Sequence, residues 1–238
     1  AGLVEGLGKV ATSRRKALVS IGLAGVVMFF DDYSNTVVLG NTMQKLSDKW
    51  RISREKLAYL VDSTTAPVAG LAVLSTWIAF EAMLLGGEAK DLGIELSGYE
   101  IFLELLPIRF YCIGTLIFLF MSSALGRDFG PMYHAEKRAL DEGKVRADSS
   151  ETLGIEAAES REPDEDTPKR WFNAVIPILC VVFGIVFGIL FLGRYRMLAS
   201  GSSFSFGSFE DWRLAFGVTM SGSDGKGAMP VLFLASAL

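Results

Sequence analysis

The apolar residues of this chain are gathered into long blocks, with polar connectors between them. The strongly apolar regions are 17 to 43, 57 to 85, 108 to 125 and 171 to 193, and a further one begins at 228 to 238. Such blocks approach the roughly 17 to 25 residues that a helix needs to cross about 30 Å of hydrocarbon, whereas the core helices of soluble proteins are shorter and striped. The pattern predicts an all-α membrane protein, a bundle of transmembrane helices.

Composition supports a membrane environment. Half of the 238 residues are hydrophobic and 11% are aromatic, and the mean hydropathy is +0.37. These values are too apolar for an ordinary soluble domain of this size. Both cysteines, Cys112 and Cys180, lie in apolar blocks and offer neither a disulfide framework nor metal-ligand spacing.

The charged residues divide the chain. Acidic residues concentrate between Asp141 and Asp166, so the net charge of −4 belongs mainly to one segment. We expect a membrane transport core over 1–140, an acidic and disordered cytoplasmic loop over 141–169, and further spans with an external loop over 170–238. Both ends look as though they interrupt a longer pattern, which predicts a fragment of a larger carrier.

Orientation follows from the Lys and Arg residues beside the spans. The connector from Lys45 to Lys56 is basic and is predicted to be cytoplasmic, and the one from Gly86 to Glu100 is acidic and is predicted to be external. The connector that begins at Gly126 is basic and returns to the cytoplasm. The connector after residue 193 should then be external, although Arg194, Arg196 and Arg213 oppose that assignment.

The first apolar region does not fit a single crossing, because basic residues flank it on both sides. A re-entrant hairpin over 17–46 resolves the conflict, with its turn in the stretch "DDYSNT" that starts at Asp31. One broken helix that crosses the membrane is the alternative. Non-helical backbone at membrane depth is tolerated only where protein buries it or where it lines a wet cavity. Both versions therefore place these polar residues inside the protein.

The second apolar region contains the stretch "VDSTTAPVAG", residues 61 to 70. It combines Asp62 with the hydroxyls of Ser63, Thr64 and Thr65, followed by Pro67, which lacks an amide hydrogen and frees a carbonyl one turn earlier. The pattern predicts a broken span over 57–85. Carboxylate, hydroxyl and freed carbonyl oxygens suit a small cation that has lost its water, and discontinuous helices form ion sites in secondary transporters.

Simpler interpretations exist for each of these polar residues. Asp31 and Asp32 would cap a helix at the membrane interface, with the residues after them as turn residues. Asp62 would be the N-cap of the long apolar block. The hydroxyls of Thr64 and Thr65 would bond back to carbonyls one turn earlier. The ion-site hypothesis is favoured because two oxygen-rich interruptions occur in neighbouring segments, and neither 17 to 43 nor 57 to 85 contains an interior Lys or Arg beside them.

The stretch from Phe29 to Gly70 resembles the signature region of the NhaC-type sodium/proton antiporter family, and "GRDFGPMYHAEKRA", Gly126 to Ala139, resembles a cytoplasmic stretch of the same family. The stretches "SNT" and "STTAP" more distantly resemble sequences that surround sodium in dicarboxylate carriers of the ion transporter superfamily. The resemblance implies a secondary transporter that exchanges sodium for protons. Because the family includes exchangers of organic acids of the malate/lactate type, that activity is the alternative.

The resemblance also implies the site residues. Those that match motif positions are Asp31, Asp32, Asn35, Thr36, Asp62, Ser63, Thr64 and Thr65. We expect Asp32 and Asp62 to hold sodium or exchange protons, with Asp31 as a cap. Burial and a like-charged neighbour both raise a carboxyl pKa, so one of the adjacent aspartates should titrate near neutral pH.

The expected surroundings follow from this hypothesis. The partners are the lipid bilayer, sodium and protons, without nucleic acid, and a homodimer is left open. No cofactor is expected beyond the transported ions. The chain is not expected to be an enzyme, because a lone His134 outside the spans and two embedded cysteines supply no catalytic set. The predicted location is the bacterial inner membrane.

Overall fold

The computed structural model describes residues 11–29, 32–147 and 172–221, with Ala228 and Val231. Within these residues the chain forms helices and no strands, which confirms the all-α prediction. It divides into two units, each considered by itself below. Unit 1 takes its described residues from Ala1–Met28, Asp32–Pro67 and Gly114–Ala174, and unit 2 takes its own from Phe29–Asp31, Val68–Ile113 and Val175–Leu238. The boundaries predicted from charge stay a prediction.

Helices occupy the described apolar blocks and also parts of the polar connectors between them. In chain order they are α1 (Arg14–Val27), α2 (Asp32–Ser34), the π-helical turn π1 (Asn35–Leu39), α3 (Gly40–Thr42), α4 (Gln44–Lys49), α5 (Arg54–Leu71), α6 (Thr76–Asp91), α7 (Gly98–Leu105), a 3₁₀ turn (Leu106–Ile108), α8 (Phe110–Leu125), α9 (Gly130–Asp141), α10 (Phe172–Ala199) and α11 (Phe209–Ser221). The acidic segment lies mostly outside the described residues.

The first apolar region breaks near the aspartates, as expected. Helix α1 is capped by Ser13, whose hydroxyl accepts from the Lys16 amide at 3.4 Å, and it ends at Val27. The chain then returns along α1, because π1 and α4 both contact that helix. The re-entrant position of this segment in a membrane stays a prediction.

The second apolar region also breaks, but at a different place from the one predicted. Helix α5 continues through Pro67 and ends at Leu71, and the next helix begins at Thr76. Ser75 caps α6 by accepting from the Ile78 amide at 3.3 Å and donates to the Ala69 carbonyl at 3.0 Å. A proline removes a single backbone hydrogen bond, and the helix here tolerates that loss. The break therefore lies four residues or more after Pro67.

In unit 1, the two connectors predicted to be cytoplasmic bind each other. The Arg54 amide donates to the Val145 carbonyl at 2.8 Å, and Arg138 donates twice to the Glu55 carboxylate, both at 2.9 Å. Contact between them is consistent with their assignment to one side of the membrane. We call this set of contacts the clasp; its side chains are Arg14, Glu55, Lys56, Asp128, Glu136 and Arg138.

The centre of the clasp is buried. Lys56 is 1% exposed, and its ammonium group lies 2.6 Å from the Asp128 carboxylate and 5.0 Å from the centre of the Tyr59 ring. The buried Glu136 carboxylate pairs with Arg14 and accepts from the Ser53 amide at 2.8 Å. Charged side chains of these connectors therefore form internal bonds between segments that are distant in the sequence.

Unit 2 is built on a helical hairpin of α6 and α7, against which α11 packs. Helix α7 begins with a reciprocal cap in which the Ser97 hydroxyl accepts from the Glu100 amide and the Glu100 carboxylate accepts from the Ser97 amide. These hydrogen bonds hold the pKa of Glu100 below its usual value. Helix α11 lies on the second predicted external connector, and its contact with α6 and α7, which enter and leave the first, is consistent with a common side for the two connectors.

Helices α10 and α11 approach each other at backbone distance. A Cβ placed on Gly193 would lie 1.8 Å from the Ala215 carbonyl oxygen. Beside it the Thr219 hydroxyl donates to the Ile189 carbonyl at 2.9 Å. Only glycine fits at this crossing, and the close approach buries Ile189 and Met220 in the core of unit 2.

Among the residues that the structure describes, two stretches have the length and composition of membrane spans, Phe110–Asp141 and Val175–Ala199. The helices within them carry large apolar side chains on their exposed surfaces, a pattern that would be unfavourable in water. These side chains include Phe110, Ile117, Met121, Leu125, Phe183 and Phe187.

We expect Gly193→Ala to destabilise the protein by about 1 to 3 kcal/mol, because the added methyl group forces two helices apart. Gly114→Ala is the matched control, since a Cβ at that helical glycine meets no atom within 4 Å. Thermal unfolding in detergent measures both. Equal melting temperatures for the two variants would contradict the close crossing.

We expect Lys56→Met to cost about 3 to 5 kcal/mol, because it leaves the Asp128 carboxylate buried without its partner. The double variant Lys56→Met/Asp128→Leu removes both charges and should recover most of that stability. Denaturant or thermal unfolding of the three proteins tests this. If the double variant is no more stable than the single one, the two charges do not compensate each other.

Candidate functional site

The first group of predicted site residues lies on α2 and π1. Asp31 lies outside the described residues. Asp32 is half-buried, and its carboxylate accepts from the amide of the next residue, Tyr33, at 2.9 Å. Thr36 is exposed. Asp32 is the first residue of α2, and the choice between the capping and the ion-site interpretations of the two aspartates stays a prediction.

Asn35 is the most buried of the predicted residues on this segment, at 1% exposure. Its side-chain amide donates to the Gly25 carbonyl of α1 at 3.0 Å. Its side-chain oxygen, Oδ1, is buried without a hydrogen-bond partner in the described part of the chain. Because a buried acceptor without a partner costs free energy, this oxygen is a ready ligand for a cation.

The second group lies in the middle of α5. The buried Thr64 hydroxyl lies 3.0 Å from the carbonyl oxygens of both Leu60 and Val61. The Thr65 hydroxyl donates to the Val61 carbonyl at 2.7 Å. These are the bonds to the preceding turn that the simpler interpretation predicted, and each leaves lone pairs on the hydroxyl oxygen.

The two groups meet within unit 1. The hydroxyl oxygens of Thr36 and Thr65 are 3.4 Å apart. Beside them, a Cβ on Gly25 would lie 2.1 Å from the Thr64 hydroxyl oxygen, so α1 and α5 are in close contact. Segments predicted separately to be oxygen-rich are therefore joined at one place, and we call the set Asn35, Thr36, Thr64 and Thr65 the oxygen cluster.

The described carboxylates on these two segments are not fully buried. Asp62 is exposed and Ser63 is half-buried, and Asp32 is half-buried. Asp62 is three residues before Thr65, so the two share a face of α5. Because α5 begins at Arg54, Asp62 lies within the helix and its interpretation as an N-cap is wrong. A buried carboxylate is not seen among these residues.

Gly25 is a part of the site that the sequence interpretation did not single out. The signal was weak, because one glycine in an apolar helix predicts nothing by itself. Its role is visible only when α5 is placed against α1, where the absence of a side chain lets Thr64 approach and exposes the Gly25 carbonyl to Asn35.

The chemistry of the cluster suits an alkali cation. Its ligands are amide, hydroxyl and carbonyl oxygens, the ligand types of hard cations. No group of three His, Cys, Asp or Glu side chains suited to a metal ion occurs among the described residues.

Comparison with known proteins identifies the family. The model described as "Na+/H+ antiporter family" matches residues 68–231, which is more than half of the chain. The chain belongs to the Na+/H+ antiporter family. This family consists of membrane transporters, in agreement with the two spans above, and it is not a family of enzymes.

A curated relative was also found. An uncharacterized protein of Haemophilus influenzae (strain Rd) is 28% identical over 200 residues, which cover 83% of this chain and 36% of that protein. The chain thus spans about a third of the length of the relative that it matches. No solved structure matches the chain.

The antiporter match does not include the oxygen cluster. It begins at residue 68, directly after Thr65, so the role of the cluster rests on its geometry and on the motif resemblance. The narrower NhaC-type assignment and the expected fragment status also stay predictions.

We expect the double variant Thr36→Cys/Thr65→Cys to form a disulfide on mild oxidation, once Cys112 and Cys180 are replaced by Ala. Hydroxyl oxygens 3.4 Å apart allow the Cβ separation of about 3.5 to 4.5 Å that disulfides need. Mobility on a non-reducing gel and mass spectrometry detect the bond.

The matched control is Thr36→Cys/Ser63→Cys. Residue 63 is two positions from residue 65 and therefore points about 200° away around α5. Equal oxidation of both pairs, or of the control alone, would show that Thr36 does not face Thr65.

Proposed function

We propose that this protein exchanges sodium for protons across the membrane, and that the oxygen cluster with its neighbouring carboxylates is the ion site. The contact of Thr36 with Thr65 beside the unpartnered Asn35 oxygen carries the proposal. The family supports the activity, and the motif from Phe29 to Gly70 supports an NhaC-type exchanger of the bacterial inner membrane.

The cluster supplies neutral oxygen ligands. Asn35 offers an acceptor without a partner, and Thr36 and Thr65 offer lone pairs at their point of contact. The Thr64 hydroxyl is already bonded to two backbone carbonyls. We therefore assign Thr64 to the packing of α5 against Gly25 and not to the ligands. Ser63, the residue directly before Thr64 in α5, supplies a further hydroxyl ligand.

The carboxylates supply the charge. Asp62 shares a face with Thr65, and Asp32 is four residues before Thr36, so each cluster threonine has a carboxylate on its own segment. Asp62 has no ion-pair or hydrogen-bond partner among the described residues. A carboxylate without a cationic partner at membrane depth binds either a cation or a proton. Asp31 is the cap in this proposal.

Competition couples the two fluxes. If sodium and protons occupy the same carboxylates, binding of one requires release of the other. Exposure of the loaded site to each side of the membrane in turn then exchanges them, as in other transporters with interrupted helices.

The position of Arg109 favours cations over organic acids. An organic-acid exchanger needs a cationic group to hold the carboxylate of its substrate. In unit 2 the Arg109 guanidinium is neutralised by Glu81 and lies 4.7 Å from the centre of the Phe102 ring. Its charge is therefore already balanced within the chain.

We expect Asp32→Asn and Asp62→Asn, made in the full-length protein, each to abolish sodium-dependent proton movement. Neutral amides cannot exchange a proton for sodium. Everted membrane vesicles with a fluorescent pH indicator measure the movement when sodium is added. Asp91→Asn is the control, because that exposed carboxylate lies on the predicted external connector.

The same assay separates the possibilities. Wild-type exchange in both aspartate variants would contradict the site, while a response to malate and lactate without one to sodium or lithium would establish organic-acid exchange instead. Asn35→Leu should raise the sodium concentration at half-maximal rate and leave expression unchanged. An unchanged sodium dependence would remove Asn35 from the ligand set.

A further inference from the structure

An aromatic cluster covers the end of α10 in unit 2. Phe204 and Phe206 follow the helix in the connector, and their rings contact Trp212 of α11 with centroids 4.8 and 5.7 Å apart. The Trp212 indole also donates to the Phe206 carbonyl at 3.0 Å, and Phe191 adds a fourth ring at 6.2 Å. We call Phe191, Phe204, Phe206 and Trp212 the aromatic cap.

Arg194 is stacked on this cap. Its guanidinium carbon lies 4.5 Å from the centre of the Phe206 ring and 5.8 Å from that of Phe204. Its Nε is buried without a hydrogen-bond partner, and no carboxylate of the described chain pairs with it. A guanidinium held on aromatic faces with its donors unused is arranged to receive an anion.

The length of α10 locates Arg194 relative to a bilayer. The helix has 28 residues, or about 42 Å at 1.5 Å per residue, which exceeds the roughly 30 Å of hydrocarbon. Arg194 is five residues from the last residue, so it lies near the end that emerges. Aromatic residues concentrate at this depth, where phosphate groups of lipids are also found.

The surface of the cap is suited to lipid. Phe206 is 60% exposed, and the neighbouring Phe209 is 82% exposed. Rings of this size are unfavourable in water yet stable between acyl chains and headgroups. The combination of exposed rings with an unpaired guanidinium matches an amphipathic anion better than a free one.

We propose that Arg194 and the aromatic cap form a binding site for the phosphate group of a phospholipid. The guanidinium donates to the phosphate oxygens, and the exposed rings contact the glycerol and upper acyl carbons. The site accounts for a basic residue near the end of α10, beside a connector that the alternation of the spans makes external against the positive-inside rule. This inference does not depend on the ion site.

The test uses the full-length protein in detergent and its thermal unfolding on addition of phosphatidylglycerol, phosphatidylcholine, diacylglycerol or inorganic phosphate. We expect both phospholipids to raise the melting temperature, and diacylglycerol and inorganic phosphate to have little effect. Arg194→Gln should raise the phosphatidylglycerol concentration needed for half of the shift by about tenfold, through loss of a charge-assisted hydrogen bond.

Arg213→Gln is the matched control, because Arg213 is exposed and pairs with Glu210 at 2.7 Å on the same connector. It should respond to lipid as the wild-type protein does. An unchanged response of Arg194→Gln, or an equal effect of diacylglycerol, would overturn the proposal. An equal effect of inorganic phosphate would also overturn it, because the site would then bind free anions.

A second measurement does not need the Arg194 variant to fold. In nanodiscs of brominated phosphatidylglycerol, the emission of the wild-type protein should be quenched more than that of Trp212→Phe. The difference between the two proteins reports Trp212 alone. Equal fractional quenching would place the cap away from lipid and would contradict the site.

Discussion

The contact between α1 and α5 is the constraint on which the oxygen cluster of unit 1 depends. Gly25 has no side chain, so Thr64 approaches to a distance that any Cβ would prevent. With the helices this close, Thr65 contacts Thr36, and the Gly25 carbonyl accepts a hydrogen bond from Asn35. A cluster of oxygen atoms from three segments thus results from one missing methyl group. The geometry of the proposed ion site therefore depends on this helix contact.

Much of the architecture follows from the sequence pattern. Long apolar blocks predict helices, and α8 and α10 occupy the blocks expected for them. The location of the second break was harder to predict from the sequence. Pro67 is a strong local signal, but the actual break depends on the Ser75 cap and on the packing of the next helix. Local chemistry identifies where a helix is weakened. Tertiary contacts decide where it ends.

The candidate site was partly predictable for the same reason. Residue types indicated oxygen-rich segments, and their proximity is seen in the Thr36–Thr65 contact. The expected burial of the carboxylates was based on position within an apolar block, which does not specify the face of a helix. Asp62 is on an exposed face. Gly25 and the pair Lys56–Asp128 could not be found from sequence, because each depends on a partner far away in the chain.

The clasp has a consequence for how the molecule is made. During synthesis, basic residues orient each new helix as it leaves the insertion machinery, at a time when distant acidic residues have not yet emerged. Lys56 is translated 72 positions before its partner Asp128. On the predicted orientation, the same ammonium group therefore helps first to keep its connector in the cytoplasm, and only later forms the ion pair that joins the two segments.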